Sequence, residues 1–234
     1  MTAGSVTFDH VTKAFGATRA VHDVSITFPS HKIIGLIGPN GGGKSTSLKL
    51  MAGLMHPSAG SVRVDGLEAR RGLCATVAFA PDAGAGYSFF TVAEMIGYYH
   101  SVFADFDPKR AEELRSFMDL PAAVRTGALS KGNQARLKIA LTLARAAPLI
   151  LMDEPLSGLD PLVRASIVRG LISFVDLDRQ TVVISTHEVG EVEPLLDVVA
   201  LMDRGRILAM EEVQGIQESG AGGLVGWMRR ILVR

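Results

Sequence analysis

The chain has 234 residues, and its 24 lysines and arginines balance its 24 aspartates and glutamates, so the formal net charge is zero. This length is enough to bury the core of one domain, and the neutral balance gives no indication of nucleic acid as a partner. The single cysteine, Cys74, excludes an intrachain disulfide, and the sequence contains neither a signal-peptide pattern at its start nor an apolar run of about 18 residues that could span a membrane.

The first predicted elements are short strands. Val6 to Phe8, Val24 to Phe28 and Ser61 to Val64 alternate apolar and polar residues, as half-buried strands do. We expect these segments to form a small antiparallel sheet beside the main core.

A glycine-rich loop between an apolar strand and a predicted helix is the most specific motif in the chain. The strand Lys32 to Ile37 leads into Gly38-Pro39-Asn40-Gly41-Gly42-Gly43-Lys44-Ser45-Thr46, which matches G-x-x-x-x-G-K-[ST]. Glycines let successive backbone N–H groups approach a phosphate, and a helix N-terminus favours an anion. We expect Lys44 to reach the β- and γ-phosphates and the Ser45 hydroxyl to bind Mg²⁺. The alternative is a glycine-rich turn without a ligand.

Residues from about Tyr87 to Ala147 are predicted to be largely helical. Asp107 and Pro108 are typical of a helix start, and Leu114 and Met118 are among the apolar positions that follow. Near the end of this region lies Leu129-Ser130-Lys131-Gly132-Asn133-Gln134, in which Ser130 is a good N-cap. Gly132 permits close backbone approach, so the helix N-terminus can meet an anion; an ordinary helix start is the alternative.

The apolar run Leu149 to Met152 ends in two acids, Asp153 and Glu154. Such a run is typical of a buried parallel strand, and ligands bind at the carboxyl ends of parallel strands in open α/β sheets. We expect Asp153 to hold Mg²⁺ through water and Glu154 to polarise an attacking water, unless both are merely solvated. Guanine specificity is unsupported, because neither asparagine, Asn40 or Asn133, begins an N-K-x-D element.

Two further strands and a separate tail complete the chain. Val182 to Ser185 and Val198 to Met202 continue the predicted parallel core. Gly220 to Gly223 are predicted to form a hinge before an amphipathic helix, whose apolar face contains Leu224, Trp227, Met228, Ile231 and Leu232. This helix, with Arg229, Arg230 and Arg234, can cover the protein's own core or lie on an anionic membrane, and its short length favours the core.

The order of these motifs resembles the ATP-binding cassette ATPases over about residues 5 to 210. The motifs are the phosphate loop, L-S-x-G-x-Q, the strand ending in Asp-Glu, Ser157-Gly158-Leu159-Asp160, and His187 after the strand Thr181 to Ser185. The resemblance implies an α/β fold of the P-loop NTPase type: a RecA-like core with a parallel sheet, a small antiparallel β subdomain, and an inserted helical subdomain at about residues 87–147. It implies an ATPase domain at residues 1–212, with residues 213–234 as a C-terminal tail.

The family implies roles for residues that meet a second cassette. Ser130, Lys131, Gly132 and Asn133 match the signature element, which contacts the γ-phosphate of ATP held by the other cassette. This chain departs from the usual L-S-G-G-Q at Lys131, which adds a positive charge, and at Asn133. Asp160 matches the loop that couples two cassettes, although it could also be a turn acid before Pro161.

Three more residues match the family's nucleotide site. Phe15 corresponds to the aromatic that stacks on adenine, with an ordinary core phenylalanine as the alternative. His187 corresponds to the histidine that contacts the γ-phosphate and orients water, with a structural histidine as the alternative. Asp82 stands where the family usually has a glutamine that touches Mg²⁺ and the water. A carboxylate can still bind the metal, but it cannot donate a hydrogen bond as an amide does.

The resemblance further implies an ATPase subunit that works with ATP and Mg²⁺. Two copies, or one copy and a paralogue, would close on two Mg·ATP and drive separate transmembrane permease subunits, with export as the expected direction. The alternative is a cassette that regulates or assembles a protein complex without transport. We expect a cytoplasmic protein held at the inner face of the membrane through its partners.

Overall fold

The structure is a computed structural model that describes residues 4–82, 86–220 and 222–233, except for the side chain of Cys74. The strands are β1 (Val6–Phe15), β2 (Thr18–Phe28), β3 (Ile33–Ile37), β4 (Ala59–Val64), β5 (Leu67–Glu68), β6 (Val77–Ala80), β7 (Leu149–Asp153), β8 (Thr181–Thr186), β9 (Val198–Asp203) and β10 (Arg206–Glu212). The α-helices are α1 (Lys44–Met51), α2 (Val92–Val102), α3 (Pro108–Phe117), α4 (Lys131–Leu143), α5 (Pro161–Phe174), α6 (Val189–Val192), α7 (Val213–Glu218) and α8 (Gly223–Leu232). Short 3₁₀ helices span Arg71–Ala75, Thr126–Ala128 and Glu193–Leu195.

The larger sheet has the strand order β10-β9-β3-β8-β7-β6. Neighbouring strands from β9 to β6 are parallel, and β10 is an antiparallel edge strand. Every residue of β3, β7 and β8 is buried, as expected for parallel strands covered on both faces. The predicted P-loop NTPase fold with a parallel core sheet is therefore confirmed.

The smaller sheet is antiparallel, with the order β2-β1-β4-β5. Its first strand, β1, continues to Phe15, well beyond the predicted Val6 to Phe8. The pairing of β1 with β2 shifts register between Phe8 and Val11, and His10 has a left-handed backbone with φ of 48°. These irregularities break the simple alternation of apolar and polar residues, which is why sequence periodicity does not predict the whole strand.

Helices α2, α3 and α4 form the lobe between β6 and β7, in the region predicted to be helical. Thr91 and Glu94 form a capping box at the start of α2. The Asp107 carboxylate accepts hydrogen bonds from the backbone N–H groups of Lys109 and Arg110, which starts α3 as the sequence predicts.

The C-terminal residues pack onto the same core as the sheet. Leu224 and Trp227 of α8 are buried, and Met228 and Ile231 pack beside them. Leu232 is 38% exposed, so it does not share the buried face that helical spacing suggests. Ala221 of the predicted hinge lies outside the described residues, and the division at residue 212 stays a prediction that coincides with the end of β10.

No helix within the described ranges is long and apolar enough to cross a membrane.

Candidate nucleotide-binding site

The glycine-rich loop follows β3 at the carboxyl edge of the parallel sheet. Gly38 has a φ of 149°, and a Cβ atom there would lie 1.9 Å from the carbonyl oxygen of Met202. Gly43 precedes α1 with a φ of 109°, and a Cβ atom there would lie 2.2 Å from the carbonyl oxygen of Ala20. Both positions therefore require glycine, and the loop can bring its backbone close to a ligand.

Lys44 is the first residue of α1, and its side chain folds back into the loop. Its ammonium group donates to the carbonyl oxygens of Gly38, at 2.8 Å, and Pro39, at 3.1 Å. Lys44 is only 5% exposed, and its ammonium lies 3.4 Å from a carboxylate oxygen of Glu154. A buried ammonium that already has a carboxylate partner is suited to bind an anion in exchange.

Asp153 lies at the end of β7, next to the start of α1. Its carboxylate oxygen Oδ1 accepts hydrogen bonds from the hydroxyls of Ser45, at 2.9 Å, and Ser185, at 2.6 Å. Asp153 is 3% exposed, so these donors compensate its removal from water. Sequence analysis missed Ser185, although a serine in a strand with every residue buried is a signal for a polar partner.

Glu154 has an unusual backbone and two charged neighbours. Its φ of 46° is left-handed, a conformation that costs a non-glycine residue about 1–3 kcal/mol and is typical of functional sites. One carboxylate oxygen faces Lys44, and the other lies 2.9 Å from Nδ1 of His187. The structure therefore brings Lys44, Glu154 and His187 together.

His187 is linked to the loop before Asp160 through Glu188 and Arg164. Sequence analysis missed Arg164. Arg164 donates to the carbonyl oxygen of Leu159 at 2.9 Å, and it forms ion pairs with Glu188 and Glu191. Glu188 in turn lies 3.7 Å from Nε2 of His187. These contacts connect the residues before Asp160 with the residues around His187.

One cleft of about 380 Å³ is bounded by the glycine-rich loop, Glu154 and the small sheet. Among the described residues, its wall consists of Phe15, Ala20, Asn40, Gly41, Gly42, Gly43, Lys44, Ser45, Thr46, Asp82 and Glu154. Phe15 is 49% exposed at the end of β1, and the ammonium of Lys13 lies 5.3 Å from its ring centroid. A ring so exposed is available for stacking, which a core phenylalanine would not be.

Asp82 is exposed and reaches the same cleft from the segment after β6. The backbone of this segment is held by Lys138 of α4, whose ammonium donates to the carbonyl oxygens of Pro81 and Asp82. Burial lowers the pKa of Lys138, while the negative charges of Asp82 and Asp153 act in the opposite direction.

The signature residues and Asp160 lie outside this cleft and next to each other. Ser130 caps α4 by accepting from the backbone N–H of Asn133 at 3.3 Å. A Cβ atom at Gly132 would lie 2.8 Å from Val163, and one at Gly158 would lie 2.6 Å from the ammonium of Lys131.

Asp160 uses its carboxylate to cap α5. The backbone N–H groups of Leu162 and Val163 donate to it, each at 3.0 Å. This contact agrees with the alternative of a turn acid before Pro161, and it leaves the proposed coupling role to be tested.

The polar groups in and next to the cleft fit a nucleoside triphosphate with Mg²⁺. The loop supplies backbone N–H groups and one buried ammonium, which suit phosphate oxygens. Ser45, Asp153 and Asp82 supply hydroxyl and carboxylate oxygens, the hard ligands that Mg²⁺ prefers.

The chain is similar in sequence to known proteins over most of its length. The sequence model of the family described as ABC transporter matches residues 21–157. The Nod factor export ATP-binding protein I of Burkholderia lata is 32% identical over 230 residues, which cover 95% of this chain and 75% of that protein. The glycine betaine uptake system ATP-binding protein YehX of Escherichia coli is 30% identical over 217 residues, covering 87% of this chain and 69% of that protein.

A solved structure supports the fold. A dimeric, post-hydrolysis ATP-binding cassette bound to ADP and Pi superposes with a TM-score of 0.78 at 24% identity, covering 88% of this chain and 98% of that one.

Proposed function

This chain belongs to the ATP-binding cassette (ABC) transporter family as one of its ATPase subunits, and from that premise we propose which of its residues bind and hydrolyse ATP. The observation that carries the proposal is the convergence of Lys44, Ser45, Asp153, Glu154 and His187 at one edge of the parallel sheet. Phosphate release from Mg·ATP by the purified chain tests it. A chain that neither binds nor hydrolyses ATP would contradict it.

The glycine-rich loop and Lys44 bind the phosphates. In the structure the Lys44 ammonium is shared between loop carbonyls and Glu154. A γ-phosphate would compete with Glu154 for this ammonium and so free the carboxylate to act on water. Phe15 would offer its exposed ring to adenine, while Ser45, Asp153 and Asp82 would hold Mg²⁺. When bound, Mg²⁺ supplies positive charge that offsets the phosphate oxygens.

Glu154 is the proposed general base, and His187 is its neighbour in the hydrolytic site. The Glu154 carboxylate would accept a proton from the attacking water. The 2.9 Å contact with Nδ1 of His187 orients one carboxylate oxygen and fixes the imidazole beside Glu154. Both side chains are more than half buried, so their interaction is less screened than a surface contact.

The signature residues serve a second cassette in this proposal. Ser130, Lys131, Gly132 and Asn133 lie away from the cleft of their own chain, which supports a role at the nucleotide of a partner. Asp160, beside them, would couple the two cassettes. The partner is a second copy or a paralogue, and the pair would act on transmembrane permease subunits at the inner face of the membrane.

Export is the proposed direction of transport, and the resemblance to a Nod factor export protein supports it. A relative from an uptake system is about equally similar, so the direction needs its own experiment. Transport into inside-out membrane vesicles that contain the whole transporter would support export. Uptake by right-side-out vesicles alone would contradict it.

Replacing Asp82 by glutamine tests the proposed metal shell. Because Asp82 lines the cleft with Lys44 and Ser45, removing its charge should reduce the Mg²⁺ dependence of ATP affinity. We expect a change of about two- to tenfold, which corresponds to about 0.4–1.4 kcal/mol, since solvent screens the charge of an exposed carboxylate. Magnesium titrations of ATP binding measure this change.

Asp82→Asn is the matched variant, because it removes the charge with little change in size. Glu113→Gln, on the exposed face of α3, is the control for loss of a distant acid. Identical titration curves for the wild type and both Asp82 variants would place this residue outside the metal shell.

Phe89 is the proposed anchor for a transmembrane subunit. It is 62% exposed, and its ring lies 4.7 Å from that of Phe90, which packs against the core. Phe89→Ala should therefore leave the chain folded and active, yet weaken copurification of the permease by about 30-fold, as loss of an interface anchor of about 2 kcal/mol implies.

Phe90→Ala is the comparison variant, because it removes a ring that supports the helical lobe. It should lower the thermal unfolding temperature more than Phe89→Ala does. If Phe89→Ala binds the permease as tightly as the wild type, the docking surface lies elsewhere.

A further inference from the structure

Lys138 connects α4, the helix that begins with the signature residues and is called the signature helix below, with the nucleotide cleft. It lies in α4, the helix that Ser130 caps. Its ammonium donates to the carbonyl oxygen of Pro81 at 2.5 Å and to that of Asp82 at 2.7 Å. These two carbonyls belong to the segment that carries Asp82 to the cleft, so one side chain bridges two parts of the sequence that are more than fifty residues apart.

The surroundings of Lys138 make this bridge unlike that of a surface lysine. The side chain is partly buried, and burial of an ammonium is unfavourable unless it is hydrogen-bonded. The two carbonyl oxygens provide such bonds, and the carboxylates of Asp82 and Asp153 stabilise its charge. Holding a lysine side chain in one geometry also costs rotamer entropy. These contacts offset that cost and so keep the side chain in place.

We propose that Lys138 is a positioning residue that holds Asp82 at the nucleotide cleft and joins its position to that of the signature helix. The inference rests on the proposed ATPase site, since Asp82 matters there only as a residue of that site. A movement of α4 would be passed to the Asp82 backbone through two hydrogen bonds. The same ammonium offsets the negative charge that Asp82 brings to the phosphates.

The test replaces Lys138 by methionine, which keeps the length of the side chain and removes its donors and charge. The kcat for ATP hydrolysis should fall at least about tenfold, because a misplacement of about 1 Å can reduce a rate 100-fold. ATP affinity should change less than threefold, since Lys44 and the glycine-rich loop remain. Lys138→Arg, which retains charge and donors, should recover most of the lost rate.

The same Lys138 substitution made in the Asp82→Ala variant separates the positioning of Asp82 from a general loss of structure. In Asp82→Ala, no carboxylate is left to position, so adding Lys138→Met should lower kcat by less than twofold further. The same loss in both backgrounds would overturn the proposal, as would a wild-type rate in Lys138→Met. Lys109→Met, an exposed lysine of α3, is the control for loss of one positive charge. If Lys138→Met does not fold, Lys138→Gln is judged by the same criteria.

Hydrogen exchange gives a readout that does not depend on catalysis. In nucleotide-free protein, the backbone amide of Ala80, the last residue of the paired strand β6, should exchange at least about tenfold faster in Lys138→Met than in the wild type, Lys138→Arg or Lys109→Met. Unchanged exchange would overturn the bridge itself. A faster exchange in a protein without ATPase activity would instead count against the proposed function and leave the bridge supported.

Discussion

Replacing Glu154 by glutamine is expected to lower ATP turnover by about 10²–10⁴-fold, the usual contribution of a general base, while ATP binding is retained. The amide keeps the shape of the side chain but cannot take a proton from water. The substitution also removes the carboxylate that lies 3.4 Å from the Lys44 ammonium, so the phosphates lose a competitor for that cation. Steady-state phosphate release and equilibrium binding of a fluorescent ATP analogue measure the two effects.

The Glu154→Gln protein should also accumulate as a dimer with Mg·ATP, because closure is no longer followed by hydrolysis. Light scattering should show a mass near that of two chains with ATP and of one chain without it. Glu211→Gln, on the exposed edge strand β10, is the control and should hydrolyse ATP like the wild type. A normal turnover rate in Glu154→Gln would contradict its assignment as the base.

Replacing Lys44 by methionine is expected to weaken ATP binding by about 100-fold or more. Hydrogen bonds to charged groups contribute about 1.5–3 kcal/mol each, and every 1.4 kcal/mol is about tenfold in affinity. Lys44 is buried at the cleft, so water cannot replace its ammonium easily. The variant also leaves Glu154 without its cation partner, which adds repulsion toward the phosphates.

Lys49→Met is the matched control for Lys44→Met, because Lys49 is in the last turn of the same helix and does not line the cleft. Calorimetric titration with Mg·ATP should show near wild-type affinity for this control. Thermal unfolding of both variants establishes that the helix is intact. Equal affinities in Lys44→Met and the wild type would remove Lys44 from the phosphate site.

The parts of the site that lie close together in sequence could be predicted from it. The loop from Gly38 to Thr46 and the pair Asp153–Glu154 are contiguous, and each follows an apolar run long enough to be a buried strand. Since the carboxyl ends of parallel strands meet at one edge of a sheet, the sequence also indicates that these groups converge. The observed cleft is lined by residues from both groups, namely residues 40–46 of the loop and Glu154 of the acidic pair.

Contacts between distant parts of the chain could not be predicted in this way. Lys138 meets Pro81, and Ser185 meets Asp153, but nothing in the local pattern around Lys138 names its partner. Arg164 is one of two arginines in α5, and the local sequence does not distinguish it from Arg169; only the fold places Glu188 and Glu191 beside it. Such pairings depend on helix orientation and packing, which the periodicity of apolar residues and the composition do not determine.

Labelling with a photoreactive azido-ATP, followed by mass spectrometry, tests most directly whether this cleft is the ATP site. The label should attach to peptides that contain Phe15 or the glycine-rich loop, since both line the cleft. Excess ATP should prevent the labelling, and Lys44→Met should lose it while Lys49→Met keeps it. Labelling of peptides away from the cleft, or equal labelling of the wild type and Lys44→Met, would contradict the account.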